Sequence, residues 1–266
     1  MRADKLVVIR GGGDLATGVA QKFWRSGFKL LVLEIEQPSA IRRSVTLCEA
    51  VYTGYAAVED ITGKRIAAIS EISACLESGS IPILTDPDGA CIAYLQPAAV
   101  IDAILAKHNM GTHRQMASIT IGLGPGFCAG EDVDVVIETM RGHDLGRLII
   151  SGGAQPDTGI PGEIGGKSAQ RVLHAPVAGR VALIRKIGDI VEEGEALCEI
   201  AGKAVKAPFT GLLRGLIRDG LSVSPGMKIA DIDPRTDIDW RTISDKARCI
   251  GGAALEAFLW LDSRVK

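Results

Sequence analysis

The chain has 266 residues, enough to bury a sizeable core in one large domain or two smaller ones. Its 30 Lys+Arg balance 32 Asp+Glu, which argues against a broad nucleic-acid footprint and leaves room for a local basic pocket. Six cysteines (48, 75, 91, 128, 198, 249) stand without a C-x-x-C pair and no run of about 18 apolar residues occurs, so a disulfide framework, a zinc site of paired cysteines and a membrane-spanning helix are not expected, and reduced thiols in a cytoplasmic protein are.

In chain order, residues 6–9 (LVVI) are a short continuous apolar run, as expected of a parallel strand covered on both faces, and too short for the apolar region of a signal peptide. Gly11, Gly13 and Ala16 in GGGDLATG then fit G-x-G-x-x-G/A, the turn that lets backbone approach a pyrophosphate. A helix is predicted over 16–26 and a strand over 30–33. Glu34 closes that strand 23 positions after Gly11, where a ribose-binding carboxylate would sit. The alternative is that the glycines only permit close packing and Glu34 is solvated. Asp14 fits a phosphate site poorly unless it caps the helix. Arg42 and Arg43 are able to grip a phosphate or carboxylate, or to open a solvated helix.

Strands follow at 64–69 and 81–84, separated by a helix near 71–77, and Asp86-Pro87-Asp88-Gly89 is turn chemistry. Residues 98–106 read as strand or helix, and they deliver Lys107, His108 and Asn109 toward the carboxyl edge of a sheet. Residues 119–153 form the densest stretch. A strand at 119–123 runs into Gly122, Gly124 and Gly126, whose amides are able to converge on an anion as a nest. Asp132 and Asp134 alternate onto one face, either as a solvated strand start or as general-base or metal-assisting carboxylates. Cys128 in this loop is the one thiol placed to matter, against the alternative of a small buried residue. A second strand at 135–137 leads to Arg141, suited to an anionic ligand, and to His143, suited to acid/base work near neutral pH.

The last third carries a repeat. The pattern A-P-x-x-G…G-x-x-V-x-x-G…I occurs from Ala175 and again from Ala207, at an offset of 32. Neither copy buries its own face, so the copies should pair. This resembles the biotinyl/lipoyl barrel-sandwich fold, but Lys203 lies in a tight turn unlike a carrier-lysine hairpin, so a structural or docking module is expected. A helix is predicted over 242–261, capped by Ser244 or Asp245, with Gly251-Gly252 weakening its middle or allowing close packing.

Taken together, GGGDLATG, EQPSAIRR, AKHNMGT, IGLGPGFCAGEDVDVVIETMRGHDLGR, RVLHAPVAG and ISDKARCIGGAALEA resemble the YqeB-type selenium-dependent molybdenum hydroxylase system proteins across essentially the whole chain. The N-terminal part is distantly similar to the Rossmann half of XdhC-type maturation factors. The expected fold is α/β: a Rossmann-like parallel sheet over 1–168, a small all-β barrel-sandwich domain over 169–236, and a C-terminal helix over 237–266 that packs back on the first domain. The resemblance implies a cytoplasmic accessory protein for maturing a molybdenum hydroxylase, with the apo-enzyme or other maturation factors as partners and self-association possible. Its expected ligand is an anionic small molecule, either molybdenum cofactor or a nucleotide. Gly11, Gly13, Asp14, Ala16, Glu34, Gly122, Gly124, Gly126 and Arg141 would bind it, and His143, Asp132 and Asp134 would assist chemistry. An NAD(P)-dependent oxidoreductase and a non-catalytic chaperone are the alternatives. The residues themselves leave open whether any catalysis occurs.

Overall fold

The computed structural model describes residues 4–160 and 162–264. They divide into two compact units, one of Met1–Pro38, Val45–Asp157 and Ile243–Lys266, the other of Ser39–Ser44 and Thr158–Thr242.

The first unit contains β1 (Leu6–Arg10), α1 (Asp14–Arg25), β2 (Lys29–Glu34), α2 (Ala50–Thr53), β3 (Tyr55–Val58), β4 (Ile61–Ile66), α3 (Ile72–Glu77), β5 (Ile81–Thr85), α4 (Ile92–Leu95), β6 (Ala99–Asp102), β7 (Thr120–Leu123), β8 (Val135–Ile137) and β9 (Leu148–Ile149). After the second unit the chain returns as α5 (Asp245–Asp262). The nine strands form one sheet in the order β3-β4-β5-β2-β1-β6-β7-β8-β9. The strands from β4 to β8 run parallel, which explains their continuous apolar runs, because helices and loops cover both faces. Val7 and Ile9 face α1 and α5, while Val8 between them faces α3 and α4.

Two features correct the expected fold class. The sheet is mixed rather than Rossmann-like and parallel, since β3 is antiparallel to β4 and β9 to β8. The reason at β3–β4 is local: only Glu59 and Asp60 join the strands, a connection too short for a parallel crossover. The second unit is likewise not the expected barrel-sandwich domain but two four-stranded antiparallel sheets, β10-β17-β15-β12 and β14-β13-β11-β16. Its strands are β10 (Val172–His174), β11 (Gly179–Leu183), β12 (Ile190–Val191), β13 (Ala196–Ile200), β14 (Lys203–Lys206), β15 (Gly211–Leu216), β16 (Ser222–Val223) and β17 (Lys228–Asp233). β10 and β14 precede the two copies at equivalent positions, 32 residues apart, and add an edge to each sheet.

The repeat does govern pairing within this unit. Gly179 pairs with Val223, and its equivalent Gly211 pairs with Val191, so the copies exchange their short strands. Asp231 and Asp233 of β17 sit buried among Arg171, Arg214 and Arg235. The Arg171–Asp231 and Arg214–Asp233 contacts are both 3.0 Å, which pairs both buried carboxylates with guanidinium.

Candidate functional site

In the first unit the strand order reverses direction between β1 and β6, because β2 and β5 follow on one side and β7 and β8 on the other. Open α/β sheets bind ligands in the crevice beyond the carboxyl ends of strands at such a point. Its floor is an ion pair between register partners that end the two strands, Arg10 and Asp102. Both are buried, with the guanidinium 3.6 Å from the carboxylate. Thr112 bridges them: Arg10 Nη1 donates to its Oγ1 (2.5 Å), which donates to Asp102 Oδ2 (2.5 Å). Arg10 Nη2 also donates to the carbonyls of Pro87 (3.0 Å) and Met110 (3.2 Å), and Asp102 Oδ1 accepts from the Ile104 amide (3.0 Å). Burial pushes the Asp102 pKa up, against the pull of Thr112, the Ile104 amide and the Arg10 charge.

These two side chains anchor both ends of the loop 103–112. Inside it Leu105 (φ 60°) and Lys107 (φ 66°) occupy the left-handed region, which costs an L residue about 1–3 kcal/mol each. The conformation is held from several sides. Asn109 closes the loop by accepting from the Thr112 amide (2.8 Å) and donating to its carbonyl (2.8 Å). Lys107 reaches Asp157 at 2.6 Å. A Cβ on Gly126 would lie 2.7 Å from the His108 backbone, so only glycine fits there. A Cβ on Gly11 would lie 3.0 Å from the Ala103 carbonyl, which places the glycine turn and this loop side by side. Ile104 and Met110 of the loop, and Ile35 just after β2, are exposed around that turn.

The residues expected to bind a cofactor are placed as follows. Glu34 does not reach outward. Its Oε2 accepts from the Gly12 amide (2.7 Å) and its Oε1 from the Ile35 amide (2.9 Å), while burial pushes its pKa up against those two bonds. Gly11 donates to the Leu33 carbonyl (2.8 Å), and Gly12 abuts Cys48, whose amide donates back to it (3.0 Å). Gly13 precedes α1 with open space beside it, Asp14 lies in the first turn, and Ala16 is buried in the core. Farther along, a Cβ on Gly122 would lie 2.6 Å from the Phe127 ring and one on Gly124 2.6 Å from Thr139 Oγ1. The Gly124 amide donates to Ile137 (2.9 Å). These contacts fill the space around Gly122 and Gly124.

The expected catalytic groups also hold backbone. Asp132 Oδ2 accepts from the Cys128 amide (2.8 Å). Asp134 Oδ2 accepts from the amide (2.8 Å) and hydroxyl (2.9 Å) of Thr120, and its Oδ1 from Arg114 (2.9 Å). Arg141 forms a two-pronged ion pair with Asp245 at the start of α5 (2.8 and 2.9 Å), which holds the Asp245 carboxyl well below its ordinary range. His143 is exposed on the same loop. The Cys128 thiol is pushed up by burial and by Glu131 and Asp132, opposite to a reactive thiolate. Among the described residues no group of three or more His, Cys, Asp or Glu is set to hold a metal ion, and no helix is long and apolar enough to cross a membrane.

The structure thus brings Gly11, Gly13, Asp14 and Glu34 to the carboxyl ends of β1 and β2, with Gly11 against the start of loop 103–112, and it sets Asp132, Asp134, Arg141 and His143 in other loops. Sequence reasoning missed Arg10, Asp102 and Thr112. The available signal was a charged residue closing each of two apolar strand runs.

A curated relative, the uncharacterized protein YqeB of Escherichia coli (strain K12), is 48% identical over 258 residues, 97% of this chain and 48% of the relative. The chain therefore spans about half the length of the curated relative it matches. No family model matches the chain. Similar solved structures include TcdA (CsdL), with a TM-score of 0.34 and 10% identity over 99% of this chain and 88% of that one. An aspartoacylase family protein from Mesorhizobium loti has a TM-score of 0.28 and 11% identity over 87% and 86% of the two chains. A succinylglutamate desuccinylase from Silicibacter sp. TM1040 has a TM-score of 0.25 and 11% identity over 86% and 84%.

The likeness to YqeB seen in the motifs is borne out as similarity to an uncharacterized protein. The molybdenum hydroxylase role, the selenium dependence and the XdhC-like part are not, since that relative is itself uncharacterized. The maturation-factor reading is corrected on geometry as well, because the Gly11 and Gly124 amides that were to hold an anionic cofactor already donate to the Leu33 and Ile137 carbonyls. The NAD(P) alternative loses its ribose acid to Gly12, and the docking chaperone loses the barrel-sandwich module on which it rested.

Proposed function

We propose that the first unit is a small-molecule-binding domain whose ligand sits over the carboxyl ends of β1 and β6, between the Gly11–Gly13 turn and loop 103–112. The observation that carries this reading is the loop itself. Two L residues are kept in left-handed backbone by a buried Arg10–Asp102–Thr112 anchor at the sheet's switch point, and such strain persists where surrounding structure holds it for a purpose.

The ligand on this reading is an apolar organic molecule without a phosphate. Ile35, Ile104 and Met110 offer it apolar surface, whereas the Gly11 and Gly12 amides are engaged and the Asp14 and Glu34 carboxylates stand nearby. The six thiols are unpaired, and a reducing cytoplasmic setting is part of the same proposal.

Amide-resolved NMR titration with Nile red, a neutral apolar probe, tests it, with AMP as the phosphate-bearing control. Shifts confined to residues 11–15 and 103–112 with Nile red and none there with AMP are expected. Nile red shifts centred elsewhere, or AMP shifts at the glycine turn, would overturn the reading.

A further inference from the structure

A second site lies at the opposite, amino-terminal end of the sheet. There the last turn of α1, the start of β2 and one face of α3 enclose a groove of about 420 Å3 lined by Trp24, Gly27, Phe28, Lys29, Ser73, Leu76 and Glu77. That size falls within the roughly 300–1,000 Å3 of small-ligand pockets. The local sequence builds it. Gly27 adopts φ 83° to turn the chain from helix into strand, and a Cβ there would meet nothing within 4 Å, so the groove stays open beside it. Ser73, Leu76 and Glu77 are spaced i, i+3, i+4 and share one face of α3. The bed is apolar: Phe28 is buried against Phe23 and Phe258, and Trp24 and Leu76 are half-buried beside it.

The rim carries one charge of each sign. Lys29 and Glu77 are both exposed, line the same groove, and form an ion pair neither with each other nor with any other described residue. The Ser73 hydroxyl is exposed on the same face of α3 as Glu77. Opposite charges on one small apolar groove that do not meet leave a gap for a ligand that carries both complements.

We propose that this groove binds a free α-amino acid with a large apolar or aromatic side chain. The side chain rests on Trp24, Phe28 and Leu76, the carboxylate faces the Lys29 ammonium, and the ligand's ammonium faces the Glu77 carboxylate. Aromatic stacking on the indole and two charge-assisted contacts supply the selectivity. This site stands apart from the carboxyl-edge crevice and does not depend on it.

Calorimetric titration of the whole chain with L-phenylalanine, 3-phenylpropionate (no ammonium) and phenethylamine (no carboxylate) tests it. L-phenylalanine is expected to bind about tenfold or more tightly than either analogue. Lys29→Ala is expected to bring it down to the level of phenethylamine, and Glu77→Ala to the level of 3-phenylpropionate. Both positions are exposed, so circular dichroism should show both variants folded. No binding of L-phenylalanine to the folded chain, equal binding of all three ligands, or binding indifferent to both substitutions would each overturn the proposal.

Discussion

Asp134 displays a chemistry that recurs in the first unit, a carboxylate near a strand end that holds backbone instead of facing solvent. Asp86 accepts from the Ala90 and Cys91 amides, Glu34 from Gly12 and Ile35, Asp102 from Ile104, and Glu138 from Met140 and Gln155. Each fixes the entry to the next loop by charge-assisted bonds, which are stronger than neutral ones. Asp134→Ala strands the Thr120 amide and removes the ion-pair partner of Arg114, which keeps the Gly130 carbonyl. A loss of about 1–3 kcal/mol follows from leaving a buried donor unsatisfied, read as a lower urea midpoint at unchanged slope. His143→Ala, at an exposed position, should stay within about 0.5 kcal/mol. The sequence displays these acids and their alternation, but not their partners. Thr120 lies 14 residues from Asp134 and Gly12 lies 22 from Glu34, and no local pattern joins them. The strain at Leu105 and Lys107 was equally illegible, because neither residue type marks a left-handed backbone.

Between elements, the contact that seats α5 on the first unit is made by absent side chains. Gly18 of α1 lies against the Ala247 backbone, and Gly251 of α5 lies against the Gly18 carbonyl, so the two helices meet backbone to backbone. The Gly251-Gly252 pair announced this in the sequence as an opening for close packing, though nothing there named α1 as the partner. Gly252 points into open space. The two neighbours should therefore respond with opposite sign. Gly252→Ala gains helix propensity and should stabilise by about 0.5–1 kcal/mol. Gly251→Ala, or Gly18→Ala, gains the same propensity but drives a methyl into backbone, and should destabilise by about 1–3 kcal/mol net through overpacking. Thermal unfolding of the three variants checks both signs. Most helices and strands were legible from apolar runs, turns and caps, including Ser244, whose side chain accepts from the Ala247 amide at 3.2 Å. Strand direction at the sheet edges was not, because an antiparallel edge depends on how short a connection is and which strand it finds.

For the molecule as a whole, two sets of carboxylates pull stability in opposite directions with pH. Glu34 and Asp102 have pKa values raised by burial, from ordinary values of 4.5 and 3.8. Such groups hold protons more tightly folded than unfolded, so their contribution is complete below the ordinary value and is lost as pH rises through the raised one. Asp60, drawn down to about 2 by its hydrogen bonds with Arg25 and Gln21, behaves the other way. So does Asp233, where burial pushes up but Arg235 and Arg214 pull further down. Their contribution is present above 3.8 and fades as pH falls below it. Stability from these groups should therefore peak between the two ordinary values, near mild acidity, and decline on both sides. The acid-side decline at Asp60 should flatten in high salt, since that pair is exposed and screened, while the Asp102 part of the decline at higher pH should not, because Asp102 is buried away from ions. Glu34→Gln separates the causes. It keeps a carbonyl oxygen able to accept from Gly12 or Ile35 and removes the titration, so its midpoint should fall less than that of the native chain as pH rises above the ordinary Glu34 value of 4.5. Urea midpoints across that range, with and without salt, decide it. A Glu34→Gln profile parallel to the native one would mean that Glu34 does not govern the neutral-side slope.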